Sequence, residues 1–295
     1  MLVPTAITSI TQNLPVLPFL TGSMGGIAIT AVQLLGTFTS YGNEANPTTR
    51  TQYSKFVVVA SKKDDGGGEK VKTKPKKMVK SETGMTLIYA PAFLVSVVMA
   101  VGGSSLSIVP PPTWAGVLCL LHFAKRCAEV KFLHHYSGTI ELATAVFIGT
   151  YYTLIAVLIA NIATTTPTPL SITIGTTVFA MGLLGNFYHH SLLAKLRNKK
   201  NNGPTRSGRT TTTTQHYVAP QGGLFRYVAA PHYLFELLGW LGIAIVSQHG
   251  NAYLVLASMG SYLTGRAVAQ NAWNRAKFTD QHWPSTRKNI VPFVF

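Results

Sequence analysis

Apolar residues run in seven stretches along this chain, roughly 16–40, 86–109, 112–123, 139–163, 170–193, 233–248 and 252–265, with polar segments between them. About 20 apolar residues in a helix cross the hydrocarbon core of a bilayer, and five of the seven stretches reach that length. The third and seventh are shorter. They run directly into Lys125-Arg126 and Arg266, so their helices are expected to continue into the membrane interface with snorkelling or cavity-facing side chains. The pattern predicts an all-α, polytopic membrane protein with seven transmembrane helices, a single integral domain over 1–295.

Charge changes the picture by giving that domain a direction. All 25 Lys and Arg fall in 41–85, 124–138, 194–232 and the tail from Arg266, while 1–15, 110–111, 164–169 and 249–251 hold none. The positive-inside rule then places the N-terminus in the lumen and the C-terminus in the cytosol. A net charge of +16 would otherwise suggest a nucleic-acid partner. Here it is mainly a topology signal, and no nucleic acid is expected. With 47% hydrophobic and 12% charged residues the composition suits a polytopic membrane domain. The start of the chain lacks the basic region of a signal peptide, which predicts a retained first helix. A low-complexity basic loop, 43–82, is expected to be solvated and to meet anionic lipid headgroups, and 198–214 reads as a second solvated insertion. Cys119 and Cys127, eight apart on one helix and about 12 Å along its axis, cannot pair.

Candidate chemistry lies where polar residues interrupt the later apolar stretches, in Leu184-Gly185-Asn186-Phe187-Tyr188-His189-His190 and Pro231-His232-Tyr233-Leu234-Phe235-Glu236. Such residues at membrane depth are costly and usually line a protein-walled, partly wet cavity. Glu236 follows His232 by four, so both face one side of a helix and could grip a polar ring substituent or, alternatively, make a structural helix–helix hydrogen bond. Between them, 217–225 forms a Pro- and Gly-rich turn whose paired glycines permit close backbone approach to a bound group. With Arg197, Arg206, Arg209 and Arg226, and with Arg266, Arg275, Lys277, Arg287 and Lys288 beyond the last stretch, it could cradle an anionic, phosphate-bearing cofactor. Topogenic charge is the competing explanation.

Taken together, Gly185-Asn186, Arg197 eleven positions after that Asn, the run 217–225, His232-Tyr233 with Glu236, Gly265-Arg266-Ala267, Lys277-Phe278 with Asp280, Arg287-Lys288 and Pro292-Phe293 resemble the C-terminal region of the steroid 5α-reductase family. The resemblance covers 185–295 and implies an NADPH site there. It implies a hydride delivered to the β-carbon of a conjugated carbonyl, with an acid polarising that carbonyl. By motif, Asn186, Arg197, Tyr217, Gly223, His232, Glu236, Arg266 and Arg287 become the cofactor candidates, with Glu236 and His232 nearest the nicotinamide amide. No metal is expected. The localisation implied is the endoplasmic reticulum or an equivalent membrane.

The middle of the chain leans to a neighbouring branch. His122-Phe123, Lys125-Arg126, Glu129, Phe132, His134 and Ser137 resemble a motif of the trans-2-enoyl-CoA reductases of fatty-acid elongation. The lipid substrate implied is a steroid or sterol-like enone, or alternatively a long-chain fatty acyl-CoA. Steroid 5α-reductases place a Glu before Leu-Pro at the start of the second pass and a Tyr on the third; here 80–85 and Val130 stand at those places. Glu82, Glu129 and Tyr136 are the catalytic candidates, with Tyr89 an alternative on the second pass. Three other classes compete with this reading. A di-iron hydroxylase needs clustered histidines that His134-His135 and His189-His190 do not form. An isoprenylcysteine-type methyltransferase needs Arg-His where Ala229-Ala230 stand. A non-catalytic lipid binder or scaffold is the third, and retention of NADPH binding separates it from an enzyme.

Overall fold

A computed structural model describes residues 24–47, 49–51, 77–101, 111–163, 165–201 and 218–295. They are mostly helical, in the order α1 (Met24–Ala45), β1 (Met78–Lys80), α2 (Ser81–Val101), α3 (Trp114–Ala128), β2 (Thr139–Glu141), α4 (Leu142–Ile162), α5 (Pro169–Asn201), α6 (Pro231–Ser247) and α7 (Gly250–Lys277). Local chemistry explains several ends. Proline at 111 and 112 precludes helix continuation, and the Thr113 hydroxyl then caps α3 by accepting the Gly116 amide at 3.1 Å. Pro231 opens α6, where its missing N–H costs nothing, and Gln248 closes it in the left-handed region at φ 49°.

Among the described residues each predicted apolar stretch overlaps one helix, but the boundaries move. The third and seventh helices extend through Lys125-Arg126 and through Arg266 to Lys277, as their flanking charges led us to expect. Among the described residues three helical segments are long and apolar enough to cross a membrane: Ser81–Val101, Leu142–Ile162 and Pro169–Arg197; Pro231–Ser247 is apolar but shorter. Large apolar side chains stand exposed on all three, Leu94 on α2, Phe147 on α4 and Leu184 on α5 among them. Water would penalise that display, whereas lipid favours it.

The all-α expectation missed one feature. β1 pairs antiparallel with β2, Met78 opposite Glu141 and Lys80 opposite Thr139, so the fourth apolar stretch begins as a strand. Three-residue strands show no readable alternation, and their pairing depends on Ile140 burying itself against Gly84 at the head of α2. Cys119 and Cys127 are both free thiols.

Helices pack as the pairs α1–α7, α2–α4 and α5–α6, with α3 between α2, α4 and α6. The α5–α6 pair sets the site. A Cβ on Gly242 would lie 2.5 Å from both the Gly175 carbonyl oxygen and the Phe179 amide, so glycine lets the two backbones touch, the usual solution where lipid offers no hydrophobic drive. One turn and more toward the basic side, that close approach brings Asn186 and His190 of α5 against His232 of α6. The core itself is aromatic and aliphatic, with Phe123, Ile155, Ile159, Trp240 and Ile243 buried.

Candidate active site

Helix α3 presents a polar stripe to the interior. His122 and Arg126 are four apart and Glu129 three further on, so all three share one face, and all are buried. The helix widens into a π turn over Glu129–Leu133, closed by the His134 amide on the Glu129 carbonyl at 2.9 Å. Glu129 is thereby turned inward, 2% exposed. Arg126 Nη1 donates to its Oε2 at 2.6 Å and Lys125 Nζ lies 2.9 Å from its Oε1. The other end of the same guanidinium, Nη2, donates to the Tyr89 hydroxyl of α2 at 2.5 Å. His190 of α5 completes the group, its Nδ1 3.1 Å from both Arg126 Nη1 and Glu129 Oε2. A bare Nδ1 accepts from the guanidinium, and a protonated one donates to the carboxylate.

One turn back along α3, His122 Nε2 lies 3.4 Å from Glu236 Oε1, near enough for a charge interaction though not aligned as a hydrogen bond. Asn186 of α5 joins both α6 and α3. Its amide donates to the His232 carbonyl at 2.8 Å and its carbonyl accepts from Lys125. A small cavity opens between α3, α5 and α6, lined by His122, Lys125, Asn186, Glu236 and the glycines Gly182 and Gly239. His232 Nδ1 and Trp240 Nε1 are buried without a hydrogen-bond partner among the described residues. Unsatisfied buried groups of this kind are costly and mark places where another molecule can complete the pairing.

Charges beyond the membrane segments follow from these contacts. Burial alone would raise the Glu129 carboxyl, but the His190 hydrogen bond and the Arg126 and Lys125 charges hold it well below the usual range. Burial pushes His134 down to about 3, helped by His190 and Arg126, and pushes the Tyr136 phenol up to about 12. Glu129, His134 and His190 bring potential ligand atoms within 4.8 Å of one another. Arg126 and Lys125 already neutralise the carboxylate, and fixed cations so close oppose a metal ion. The arrangement is a proton-holding ion-pair network.

The remaining sequence candidates scatter. Glu82 stands exposed at the head of α2, 3.9 Å from Lys131. Tyr136 packs on His134, ring centroids 5.7 Å apart, after the π turn. Arg197, exposed, donates to the His135 carbonyl at the near end of the cluster. Gly223 adopts φ +56°, and a Cβ there would crowd Tyr188 and His189. Arg266 is buried with Glu44 of α1 at 3.1 Å, and its Nη1 also reaches the Thr51 carbonyl. Arg287 lies 3.9 Å over the Trp283 ring and donates to the Pro220 carbonyl and the Gln221 side chain. Tyr217 falls outside the described residues.

Sequence reasoning quoted His122, Lys125, Arg126 and His190 without giving them roles. The i, i+4, i+7 stripe on α3 was the available signal. His189, quoted with them, likewise had no role: Nδ1 faces the Gly185 carbonyl at 2.7 Å and Nε2 accepts the Leu224 amide at 3.2 Å, tying α5 to the glycine turn.

A buried acid–base network walled by membrane-type helices defines an integral membrane protein with an enzyme-like centre. Comparison with known proteins gives it a family. Residues 136–295, more than half of the chain, match the family model described as 3-oxo-5-alpha-steroid 4-dehydrogenase, and the chain belongs to that family. It is 32% identical over 124 residues to a steroid 5-alpha-reductase of Solanum lycopersicum, covering 41% of this chain and 42% of the relative. To the human 3-oxo-5-alpha-steroid 4-dehydrogenase 1 it is 31% identical over 122 residues, 41% of each. A very-long-chain enoyl-CoA reductase of Dictyostelium discoideum is 27% identical over 179 residues, 59% of this chain and 55% of that protein. The match thus spans about two fifths of the length of the steroid reductases, and little more than half of the enoyl-CoA reductase.

Proposed function

We propose that this protein is a membrane oxidoreductase that reduces a C=C bond conjugated to a carbonyl in a lipid, with NADPH as reductant. The observation that carries the reading is the buried network Tyr89–Arg126–Glu129–His190, one helical turn from the His122–Glu236 pair, in a member of this family. NADPH, when bound, supplies a hydride to the β-carbon. The chain's own residues bind, orient and exclude water. Glu236, an acceptor-only carboxylate at the small cavity, suits the N–H of a carboxamide, and the unpartnered His232 Nδ1 suits its other side. Arg197, exposed beside the cluster, has donors left for a phosphate. Arg266 and Arg287 spend donors on the chain itself, so their contribution to cofactor binding is the shape of the surrounding turns together with their charge. Apolar walls around an ionic network exclude water and strengthen each charge within it.

A steroid or sterol-like enone is the first substrate reading. A trans-2-enoyl-CoA is the second, favoured by the longer similarity to an enoyl-CoA reductase. Purified protein assayed for NADPH oxidation with a 3-oxo-Δ4 steroid and with a trans-2-enoyl-CoA decides between them. Oxidation with neither substrate would remove the proposal.

The same reading places all seven helices across the endoplasmic reticulum membrane, N-terminus lumenal and C-terminus cytosolic, following the one-sided distribution of Lys and Arg. Single cysteines at the exposed positions Thr166 and Asp280 test this. In a Cys-free background, Asp280→Cys should react from the cytosol and Thr166→Cys from the lumen; labelling of both from one side would refute seven passes.

A further inference from the structure

The catalytic acid is the missing part of this site, and three of its candidates are poorly placed. Glu129 is held ionised by Arg126 and Lys125 at 2.6 and 2.9 Å, so it accepts their hydrogen bonds and has no proton to give. Glu82 is exposed and faces Lys131. Tyr136 stands against His134, beyond the π turn and away from the His122–Glu236 end of the stripe. The fourth is different.

We infer that the Tyr89 hydroxyl is the proton donor to the substrate carbonyl, and that Arg126 positions it. The inference rests on the reductase reading above. Tyr89 lies on α2, 6% exposed, its ring stacked on Tyr152 at 5.6 Å and capped by the Arg126 guanidinium carbon at 4.5 Å from the centroid. Two packed faces fix the ring. Its oxygen accepts from Arg126 Nη2, which leaves the phenol's own hydrogen directed elsewhere and sets a cation beside the oxygen on which a phenolate would form.

Placement along α3 gives the donor its relation to the hydride site. Arg126, which holds Tyr89, follows by four residues His122, which faces Glu236. The two contacts therefore lie on one helix face, about 6 Å apart along the axis. That spacing suits a conjugated carbonyl, whose oxygen and β-carbon are separated by a few bonds. Glu236 orients the group that delivers hydride at one end, and Tyr89 meets the oxygen at the other.

The step balances as follows. Hydride from NADPH adds to the β-carbon, and the C=C π pair moves through the α-carbon to place charge on the carbonyl oxygen. Tyr89 O–H transfers its proton to that oxygen, giving an enol and a phenolate paired with Arg126. The enol returns to the carbonyl as the α-carbon takes a proton from water and the O–H proton goes back to Tyr89. Net, the substrate gains one hydride and one proton. His190, whose Nδ1 touches both Arg126 and Glu129, offers the network a second place to hold a proton during this exchange.

The test combines Tyr89→Phe with a tyrosine analogue. In Tyr89→Phe, single-turnover NADPH oxidation should fall by about a hundredfold to ten-thousandfold, the range a positioned general acid supplies. NADPH affinity should stay near wild type, while the melting temperature in detergent falls modestly because the buried Arg126 Nη2 loses its acceptor. Infrared difference spectra of bound 3-oxo-Δ4 steroid or enoyl-CoA should show the carbonyl stretch lower in wild type than in Tyr89→Phe. Trifluorotyrosine at position 89, with a more acidic phenol of nearly the same shape, should shift the alkaline limb of the rate profile to lower pH. A wild-type enzyme that works, with an unmoved carbonyl stretch or pH limb in these variants, overturns the Tyr89 assignment alone. Wild-type protein that reduces and binds neither substrate overturns the reductase reading, and this inference falls with it.

Discussion

Two regions of this molecule are each centred on a buried arginine and differ in the partners that surround it. Among the described residues Arg126, in the interior between α2, α3 and α5, has titratable partners only: a phenol, a carboxylate and an imidazole. Arg287, in the C-terminal tail, has a backbone carbonyl, a side-chain amide and an indole ring. Neutral partners of fixed protonation make a clamp: the tail pairs Val228 with Lys288 in a parallel bridge, and Arg287 ties that bridge to the turn at Pro220. Partners that gain and lose protons make a network whose charge distribution can change during a reaction. A guanidinium is equally suited to either, since its five donors are always charged.

The sharpest way to break the comparison is to remove each arginine. Arg126→Leu leaves Glu129 buried with only Lys125 and His190 to compensate, and should cost about 3 to 5 kcal/mol of stability together with activity. A melting temperature close to wild type would show that the network is not the electrostatic centre described here. Next in size is Glu236→Gln, which keeps the shape but replaces one acceptor oxygen with a donor. Its hydride-transfer rate should fall by about 100-fold, the scale on which small misplacements of reacting atoms act, with a smaller loss of NADPH affinity. Wild-type turnover with a lowered melting temperature would instead make the His122–Glu236 contact a structural helix–helix pairing.

Arg287→Ala should have a smaller effect, about 1.5 to 3 kcal/mol for lost charged hydrogen bonds, seen as a lower melting temperature and weaker NADPH binding in parallel. Weakened binding with unchanged melting would point to direct phosphate contact rather than to a clamp. The smallest effect concerns pH. His134 is held neutral by burial, down to about 3 from an ordinary value near 6.5, so the unfolded chain binds a proton that the folded chain resists. Stability from this group is complete above about 6.5 and is lost progressively as pH falls toward 3. Glu129, depressed below its ordinary 4.5, adds a further loss only below that value. Melting temperatures measured between pH 7 and pH 5 should therefore decline in wild type and decline less in His134→Gln; parallel slopes would exonerate His134.

How far the site could be read in advance differs between its halves. Asn186, His232 and Glu236 were legible because polar residues inside apolar stretches are expensive and stand out against the pattern. Arg126 and Lys125 were harder to see. They sit where an apolar stretch gives way to a basic loop, and positive-inside topology explained them without any further role. The β1–β2 pairing and the His189 bridge to the glycine turn were invisible for another reason: each joins segments far apart in sequence through contacts that no local spacing encodes.

By itself the sequence determined the helical class, the number and order of apolar stretches, and the confinement of Lys and Arg to alternate polar segments. These follow from transfer free energies that each residue carries wherever it is placed. Only the tertiary structure decided that Arg126 bonds Tyr89, that His122 meets Glu236, and that Arg287 and Arg266 turn to the chain itself. Those choices depend on which helix faces approach; between α5 and α6, for one, glycines let the two backbones come close enough to bring Asn186 onto the His232 carbonyl.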